Sequence, residues 1–321
     1  MNATPPLSVV LVSYNTRDAT IAAIDSIAPN SPAGTEIVVV DNGSQDGSAA
    51  AIRERFPEAT VIDAGGNLGF ARGVNLGVRH ASGIHIVLLN PDTVVLRHSL
   101  TTLVKFAMTS PEYGLYGGRT LRRDGSTDPS SCWGSPSLWS LLCFATGLST
   151  ALKRNRVFDP ESLGRWERDT VREVPIITGC LLLMRRTDWQ AMAGMDEDFF
   201  LYGEDGEFSL RAARHGHRPV VVPGAVIVHD VGGSTASNGR KMSLVMAGKV
   251  TMLDKAWKPR RARSGIRLLL AGAALRAALE VVTGRKSGTW SAVWASRDGW
   301  RHGYPLAESA LFTDAARLAP A

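Results

Sequence analysis

Ile84-His85-Ile86-Val87-Leu88-Leu89-Asn90-Pro91-Asp92-Thr93 is the stretch that decides the fold. Its apolar, β-branched opening reads as a buried strand. Asn-Pro-Asp then stops it with a turn signature. Asp92 therefore stands just past the carboxyl end of a core strand, the edge where open α/β sheets bind ligands. A carboxylate there is placed to hold a divalent cation against a diphosphate. The same residues also fit a plainer role, with Asn90 and Asp92 forming an Asx-turn that caps a helix beginning near His98.

Working outward toward the N-terminus, Leu7 to Val12 reads as a first strand ending at Ser13-Tyr14-Asn15, with Thr16 capping a helix to about Ile27. Glu36 to Val40 is a second strand ending in Asp41-Asn42-Gly43-Ser44, followed by a helix to about Phe56 and a short strand near Thr60 to Ile62. Gly65 to Asn75 opens another helix that ends near Ser82-Gly83. Strands alternate with helices, which predicts a mainly parallel, Rossmann-like α/β sheet covered on both faces. Three strand ends carry polar groups: Ser13 and Tyr14, Asp41 and Asn42, Asn90 and Asp92. Three such ends on one edge describe a ligand cleft.

Beyond Asp92 the pattern loosens. From about Thr120 to Arg172 the chain mixes Trp133, Trp139 and Trp166 with Ser, Pro and Arg, and reads as an insertion or lid. Val174 to Met184 returns to strand, with Gly179 marking a bulge, a close backbone approach to ligand, or a plain core glycine. Phe199-Phe200-Leu201-Tyr202-Gly203 precedes Glu204, Asp205 and Glu207 at the start of a helix that ends at Gly216. Three acids in one turn exceed what the helix dipole asks for. Pro219 to Val222 and Ala225 to Val228 read as two short strands ending at His229-Asp230.

The chain has 321 residues, 44% of them hydrophobic, and a formal net charge of +6. Its charge is uneven. Between Arg240 and Arg301, 14 Lys and Arg stand against 3 Asp and Glu, a local excess of +11, so the remainder carries −5. A basic C-terminal part on an acidic body points to an anionic surface, lipid headgroups or nucleic acid, or to a solvated basic face. Within it, Lys258 to Arg263 precedes an Ala/Leu-rich helix, Ile266 to Val282, whose apolar run Leu268 to Leu275 is too short to span a bilayer. Arg267 and Arg276 lie about 180° apart around that helix, so packing onto the body competes with lying on a membrane. Cys132, Cys143 and Cys180 have no metal or redox spacing and fit a reducing cytoplasm. No basic n-region marks a signal peptide. The expected organisation is 1–238 as one domain, with a nucleotide-binding half to about 119 and an acceptor half over 120–238, then a basic helical appendage over 239–321.

Other nucleotide folds fail on motif. Gly66, Gly69 and Gly73 do not make the G-x-G-x-x-G of a dinucleotide fold, Gly248-Lys249-Val250 is not a P-loop, and there is no G-x-S-x-G elbow. Six segments taken together resemble family 2 glycosyltransferases of the GT-A fold, and within them the bacterial rhamnosyltransferase-like group. They are Val10 to Asn15, Val39 to Ser44, Gly66 to Asn75, Leu89 to Thr93, Thr178-Gly179-Cys180 and Phe200 to Asp205, in family order across roughly Leu7 to Ser234.

The resemblance implies a set of roles. Ser13, Tyr14, Asn15 and Asn90 fall in donor-binding segments, and Asp41 resembles the acid that reads a pyrimidine base. Asn67, Arg72 and Asn75 resemble the nucleotide-diphosphate loop. Asp92 resembles the last acid of D-x-D, on Mg²⁺ or Mn²⁺, with His229 resembling a histidine that completes the metal site. Gly179, Cys180 and Glu204 fall to the acceptor, and Asp205 resembles the general base, with Glu204 its competitor. Two departures stand out: Asn90 replaces the first acid of D-x-D, and Glu207 stands where many members have Asp. The resemblance implies an inverting transfer of a sugar, L-rhamnose from dTDP-rhamnose in the first place, onto a polyprenyl-diphosphate-linked saccharide in cell-wall or surface-polysaccharide assembly. The alternatives are a UDP-sugar donor or a non-catalytic carbohydrate-binding relative. The expected setting is cytoplasmic and peripheral on the inner face of the plasma membrane, with no nucleic-acid partner.

Overall fold

The computed structural model describes residues 5–229, 238–284 and 288–311. Its strands are β1 (Leu7–Ser13), β2 (Glu36–Asp41), β3 (Thr60–Asp63), β4 (His85–Leu89), β5 (Thr93–Val95), β6 (Leu115–Leu121), β7 (Thr127–Asp128), β8 (Cys132–Trp133), β9 (Arg172–Glu173), β10 (Ile176–Ile177), β11 (Leu181–Arg185) and β12 (Val220–His229). The helices used below are α1 (Arg17–Ile27), α2 (Ser48–Arg55), α3 (Phe70–His80), α4 (Ser99–Thr109), α5 (Leu138–Ala145), α6 (Leu148–Ala151), α7 (Arg186–Ala191), α8 (Glu204–Arg214), α9 (Asn238–Ala256), α10 (Pro259–Val282) and α11 (Thr289–Ala295).

The main sheet runs β3-β2-β1-β4-β11-β6-β12-β5, with β7 and β9 paired at its side. The expected mixed α/β architecture is there. β1 to β4 are mutually parallel; β11 enters antiparallel between β4 and β6, and β12 returns parallel to β6. The central strands are buried on both faces because their residues are almost all apolar. Val9, Leu11, Val39, Val87, Leu183 and Ile227 lose essentially all solvent contact, and each such side chain contributes about 1.5–3 kcal/mol of burial. Helix α3 lies close on β1 and β2 because Gly73 faces Val12 and Gly77 faces Val10 and Val40, where a Cβ has no room.

Several boundaries move. The helix expected to open at Gly65 begins at Phe70, because Gly65 to Gly69 is a loop with Gly65 and Gly69 in the left-handed region. The two strands expected near Val222 and Ala225 are one, β12, carrying a bulge between Val221 and Val226 that absorbs Pro223 and Gly224. Asp92 caps no helix: β5 intervenes, and α4 starts after His98 without a side-chain cap. Pro259 takes the first position of α10, where its missing N–H costs nothing, so that helix begins seven residues earlier than Ile266.

The described chain forms two compact units. One is Met1–Trp133, Glu167–Asp196 and Phe208–Ser234; the other is Gly134–Trp166, Glu197–Glu207 and Thr235–Ala321. This differs from a single cut at residue 238. The reason is packing inside the second unit: α5 runs along α10, with Leu141 against Gly265 and Phe144 against Gly272. Arg276 is buried there. It donates to the carbonyls of Phe144 (2.7 Å) and Gly272 (3.0 Å) and to Thr150 Oγ1 (2.7 Å), with its guanidinium over the Phe144 ring. No described helix is long and apolar enough to cross a membrane.

The second unit also holds the loop before Glu204. Tyr202 (φ 68°) and Gly203 (φ 98°) both take left-handed backbone, and Gly248 of α9 lies against the Tyr202 carbonyl with no room for a Cβ. A Gly248→Ala substitution is expected to lower stability by about 1–3 kcal/mol, as overpacking does, read as a lower melting midpoint. An unchanged midpoint would mean the loop is not held by this contact.

Candidate active site

In the first unit the strand ends converge as the pattern requires. β5 pairs antiparallel with the end of β12, so Thr93 lies opposite His229. Asp92, one residue before, places Oδ1 3.2 Å from His229 Nε2, both side chains mostly buried. On the far side of the ring, Cys180 Sγ lies 4.0 Å from His229 Nδ1. Burial opposes a charge on this imidazole, but the hydrogen bonds to Asp92 and Cys180 outweigh it and push its pKa up to about 10. At neutral pH His229 is thus a cation paired with Asp92. A metal ion taken up by this pair would displace that proton. The donor set, one carboxylate and one imidazole, fits a divalent cation that takes its remaining ligands from a diphosphate and water. The described residues hold no group of three or more such side chains.

Across β1 from β4, the end of β2 carries Asp41. It is only 4% exposed. Oδ2 accepts from the Ser44 N–H (3.2 Å), while Oδ1 is buried with no hydrogen-bond partner. A buried carboxylate oxygen left unpaired costs about 1–3 kcal/mol or more, and a ligand N–H recovers it. Asn15, in left-handed backbone, ties the β1 end to the β2 end: its N–H donates to Ser44 Oγ (2.9 Å) and its Oδ1 accepts from Gln45 N (2.7 Å). Tyr14 stands half-buried beside it.

The Gly66 to Asn75 loop and helix are held by Asn42, which the strand-end pattern flagged without giving it a site role. Asn42 Nδ2 donates to Asn67 Oδ1 (3.0 Å) and Gly69 O (3.1 Å), and its Oδ1 accepts from Leu68 N (3.0 Å). Asn67 Oδ1 also accepts from Gly69 N. Arg72 is half-buried in the first turn of α3.

Other expected site residues turn inward. Ser13 is fully buried, its hydroxyl bonded to those of Thr16 and Thr20, so it fixes the strand end and cannot meet a donor. Asn75, expected in the nucleotide-diphosphate loop, is buried and spends its amide on backbone: it donates to Met195 O (2.8 Å) and accepts from Met195 N (2.9 Å), pairing like a strand edge with a turn 120 residues away. Asn90 donates to Cys180 Sγ (3.4 Å), and its carbonyl accepts from the Thr93 hydroxyl. Cys180, expected at the acceptor, is buried between Asn90 and His229 and belongs to the Asp92 site. Gly179 lies under the Phe70 ring, which a Cβ added there would meet at 3.0 Å, so the close neighbour on that side is a side chain.

The second unit carries the other acids. Glu204 and Asp205 open α8. Asp205 is half-exposed and its Oδ1 accepts from Gly206 N (2.7 Å). Glu204 is 4% exposed, with Oε2 unpartnered. Burial first, and then the Asp205 charge, push its pKa up to about 8. Its carboxyl is thereby held toward the protonated form, and its burial sets it behind the half-exposed Asp205. Tyr304 donates to Leu201 O (2.8 Å), and burial pushes its hydroxyl pKa up.

With this geometry in place, the comparisons align. The model of glycosyl transferase family 2 matches residues 8–163. An N-acetylglucosaminyl-diphospho-decaprenol L-rhamnosyltransferase of Mycobacterium tuberculosis is 28% identical over 246 residues, covering 72% of this chain and 78% of its own. The low-salt glycan biosynthesis hexosyltransferase Agl10 of Haloferax volcanii is 25% identical over 214 residues, 65% of this chain and 62% of its own. Among solved structures, the mannosyltransferase PcManGT from Pyrobaculum calidifontis, in complex with GDP-Man and Mn²⁺, superposes with a TM-score of 0.56 at 20% identity, covering 98% of this chain and 85% of that one. The S. aureus TarS 1–349 structure with UDP gives 0.52 at 16%, covering 82% and 69%. These likenesses establish the GT-A fold.

The buried Glu204 carries a pH signature. Its ordinary value of 4.5 is raised to about 8 on folding, so between those values the folded state holds a proton that the unfolded chain has lost. Stability contributed this way falls as pH rises through that window and levels off above it. Melting midpoints taken from pH 5 to pH 9 are expected to drop for the wild type and to drop less for Glu204→Gln, most clearly below pH 6.5; above that the raised pKa of His229 adds a fall of its own that the variant keeps. Identical slopes would place the titrating group elsewhere.

Proposed function

From a chain that belongs to glycosyl transferase family 2, we propose an inverting transfer of a sugar from a nucleotide diphosphate to a lipid-linked saccharide. The observation that carries this reading is the Asp92–His229 pair at the carboxyl edge of the sheet, with the unpaired Asp41 oxygen at the end of β2 in the same sheet. Asp41 Oδ1 accepts the N3–H of a thymine or uracil. Asn15, Asn67 and Arg72 line the phosphate and sugar side, and Asp92 faces the diphosphate. A divalent cation held by Asp92 and His229, Mg²⁺ or Mn²⁺, supplies the charge neutralisation that the leaving diphosphate needs.

Asp205 is the base. As the acceptor oxygen forms its bond to the anomeric carbon, Asp205 takes the hydroxyl proton. The bond from that carbon to the phosphate oxygen breaks on the opposite face, and its electron pair leaves with the nucleoside diphosphate. One displacement inverts the centre. The start of α8 favours the ionised form of Asp205, and the neutral Glu204 beside it adds no competing charge. The transferred sugar is L-rhamnose, carried on dTDP, and the acceptor a polyprenyl-diphosphate-linked sugar; the rhamnosyl group and the lipid-linked acceptor are what the mycobacterial relative's name describes. The protein works at the cytoplasmic face of the membrane that carries such a lipid.

Two experiments test this. Asp205→Asn is expected to lower kcat about 10²–10⁴-fold with nucleotide affinity nearly intact. A variant that keeps wild-type kcat at saturating substrates moves the base elsewhere. In calorimetric titrations with dTDP, UDP and GDP, Mn²⁺ is expected to strengthen dTDP binding. His229→Ala should weaken that metal-dependent binding about 10–100-fold, and Asp92→Ala more. Nucleotide affinity that chelator leaves unchanged removes the metal from the account, and preference for UDP reassigns the donor.

A further inference from the structure

The two arginines of α10 that oppose each other in sequence face different surroundings. Arg276 points into the second unit and donates three hydrogen bonds there. Ala262, Gly265, Leu269, Gly272, Ala273 and Ala277 share that buried side. The opposite side has no such cover. Arg260, Arg263, Arg267, Ala271, Leu275, Ala278 and Val282 are exposed and recur every three or four positions, so they share one face of a helix about 36 Å long. That face is charged over its first turns and apolar over the rest.

Its apolar end is open to an unusual degree. Leu279 is 53% exposed and Val282 83%. α5, which packs along α10, adds exposed Leu138, Trp139 and Leu142. Large aliphatic side chains left in water on the same helix face as arginines describe a surface built for something both apolar and anionic. Among the described residues, the ion pairs of this unit, Lys249–Glu161, Lys255–Asp198, Arg297–Asp298 and Arg301–Asp298, leave these three arginines out. Arg261 differs, since it stacks on Trp257.

We propose that this outward face of α10 docks the protein on an anionic lipid surface, with Arg260, Arg263 and Arg267 at the headgroup phosphates and Leu275, Leu279 and Val282 in the acyl boundary. The apolar portion is far too short to span a bilayer, so the helix lies along it. A second copy of the chain is a poorer occupant, because an antiparallel two-fold contact along the helix lays the arginines of one copy on the Leu275 to Val282 end of the other, where they lose water and gain no anionic partner. The proposal deepens the lipid-linked acceptor reading and rests on it for its purpose, since docking brings the enzyme to the leaflet where such an acceptor resides.

The test uses the full chain and vesicles of phosphatidylcholine with and without phosphatidylglycerol. The wild type is expected to sediment with the anionic vesicles and to be released by salt. Arg263→Gln with Arg267→Gln should weaken that partitioning about 30-fold, at about fivefold per arginine. Leu279→Ser with Val282→Ser should weaken it as well. All four positions are on the surface, so melting midpoints and turnover of a soluble acceptor should match the wild type, which separates docking from misfolding. Equal vesicle binding by wild type and both variants overturns the proposal. So does a concentration-dependent dimer that the Leu279/Val282 variant abolishes. Calorimetry with dTDP and UDP on the same samples keeps the two readings apart: vesicle binding without nucleotide binding defeats the transferase reading alone, and the reverse defeats this one alone.

Discussion

The register of one short antiparallel pairing governs the candidate site. β5 has only three residues, yet its pairing with β12 sets Thr93 opposite His229 and so brings Asp92 to the imidazole. A slip of one residue would turn His229 to the other face of the sheet. Two features guard against that slip. Leu96 N–H bonds to Val226 O, and the Ser99 hydroxyl both donates to the Val226 carbonyl and accepts from its N–H. The bulge in β12 belongs to the same arrangement, since it re-aims the strand just before it reaches His229.

Around this pairing the chain keeps polar groups for two distinct ends. Some hold backbone. Ser13 closes a hydroxyl cluster, Asn42 carries the loop from Asn67 to Gly69, and Asn75 braces the Met195 turn. Others are left with unspent hydrogen-bonding capacity where a fold has no reason to leave it. Asp41 Oδ1 and Glu204 Oε2 are both buried carboxyl oxygens without partners. They differ in consequence. Asp41 sits at a strand end where a ligand can supply the missing donor, whereas Glu204 meets its burial by holding a proton. In that form it is compatible with an ionised Asp205 next to it.

The sequence made the strand ends legible because their signal is local. An apolar run stopped by Asn-Pro-Asp, or by Asp-Asn-Gly, reports strand and edge together, and Asp41, Asp92 and the Glu204 helix start all lie where that reading puts them. The residues that changed role did so through distant partners. Asn75 and Met195 are 120 positions apart, and Cys180 meets Asn90 and His229 across 90 and 49 positions; no periodicity encodes such contacts. In α10, the opposed arginines offered packing and surface exposure as rival readings. The structure assigns one to each side, Arg276 inward and Arg267 outward.

The central claim is that Asp92 and His229 give up their mutual ion pair to hold a metal against a nucleotide diphosphate. An anomalous-difference map from crystals soaked with dTDP and Mn²⁺ tests it most directly. The account predicts a manganese peak within bonding distance of the Asp92 carboxylate, shared with the diphosphate oxygens, and the Asp92–His229 contact opened from its 3.2 Å. Bound nucleotide with the Asp92–His229 pair intact and no manganese beside Asp92 would contradict it.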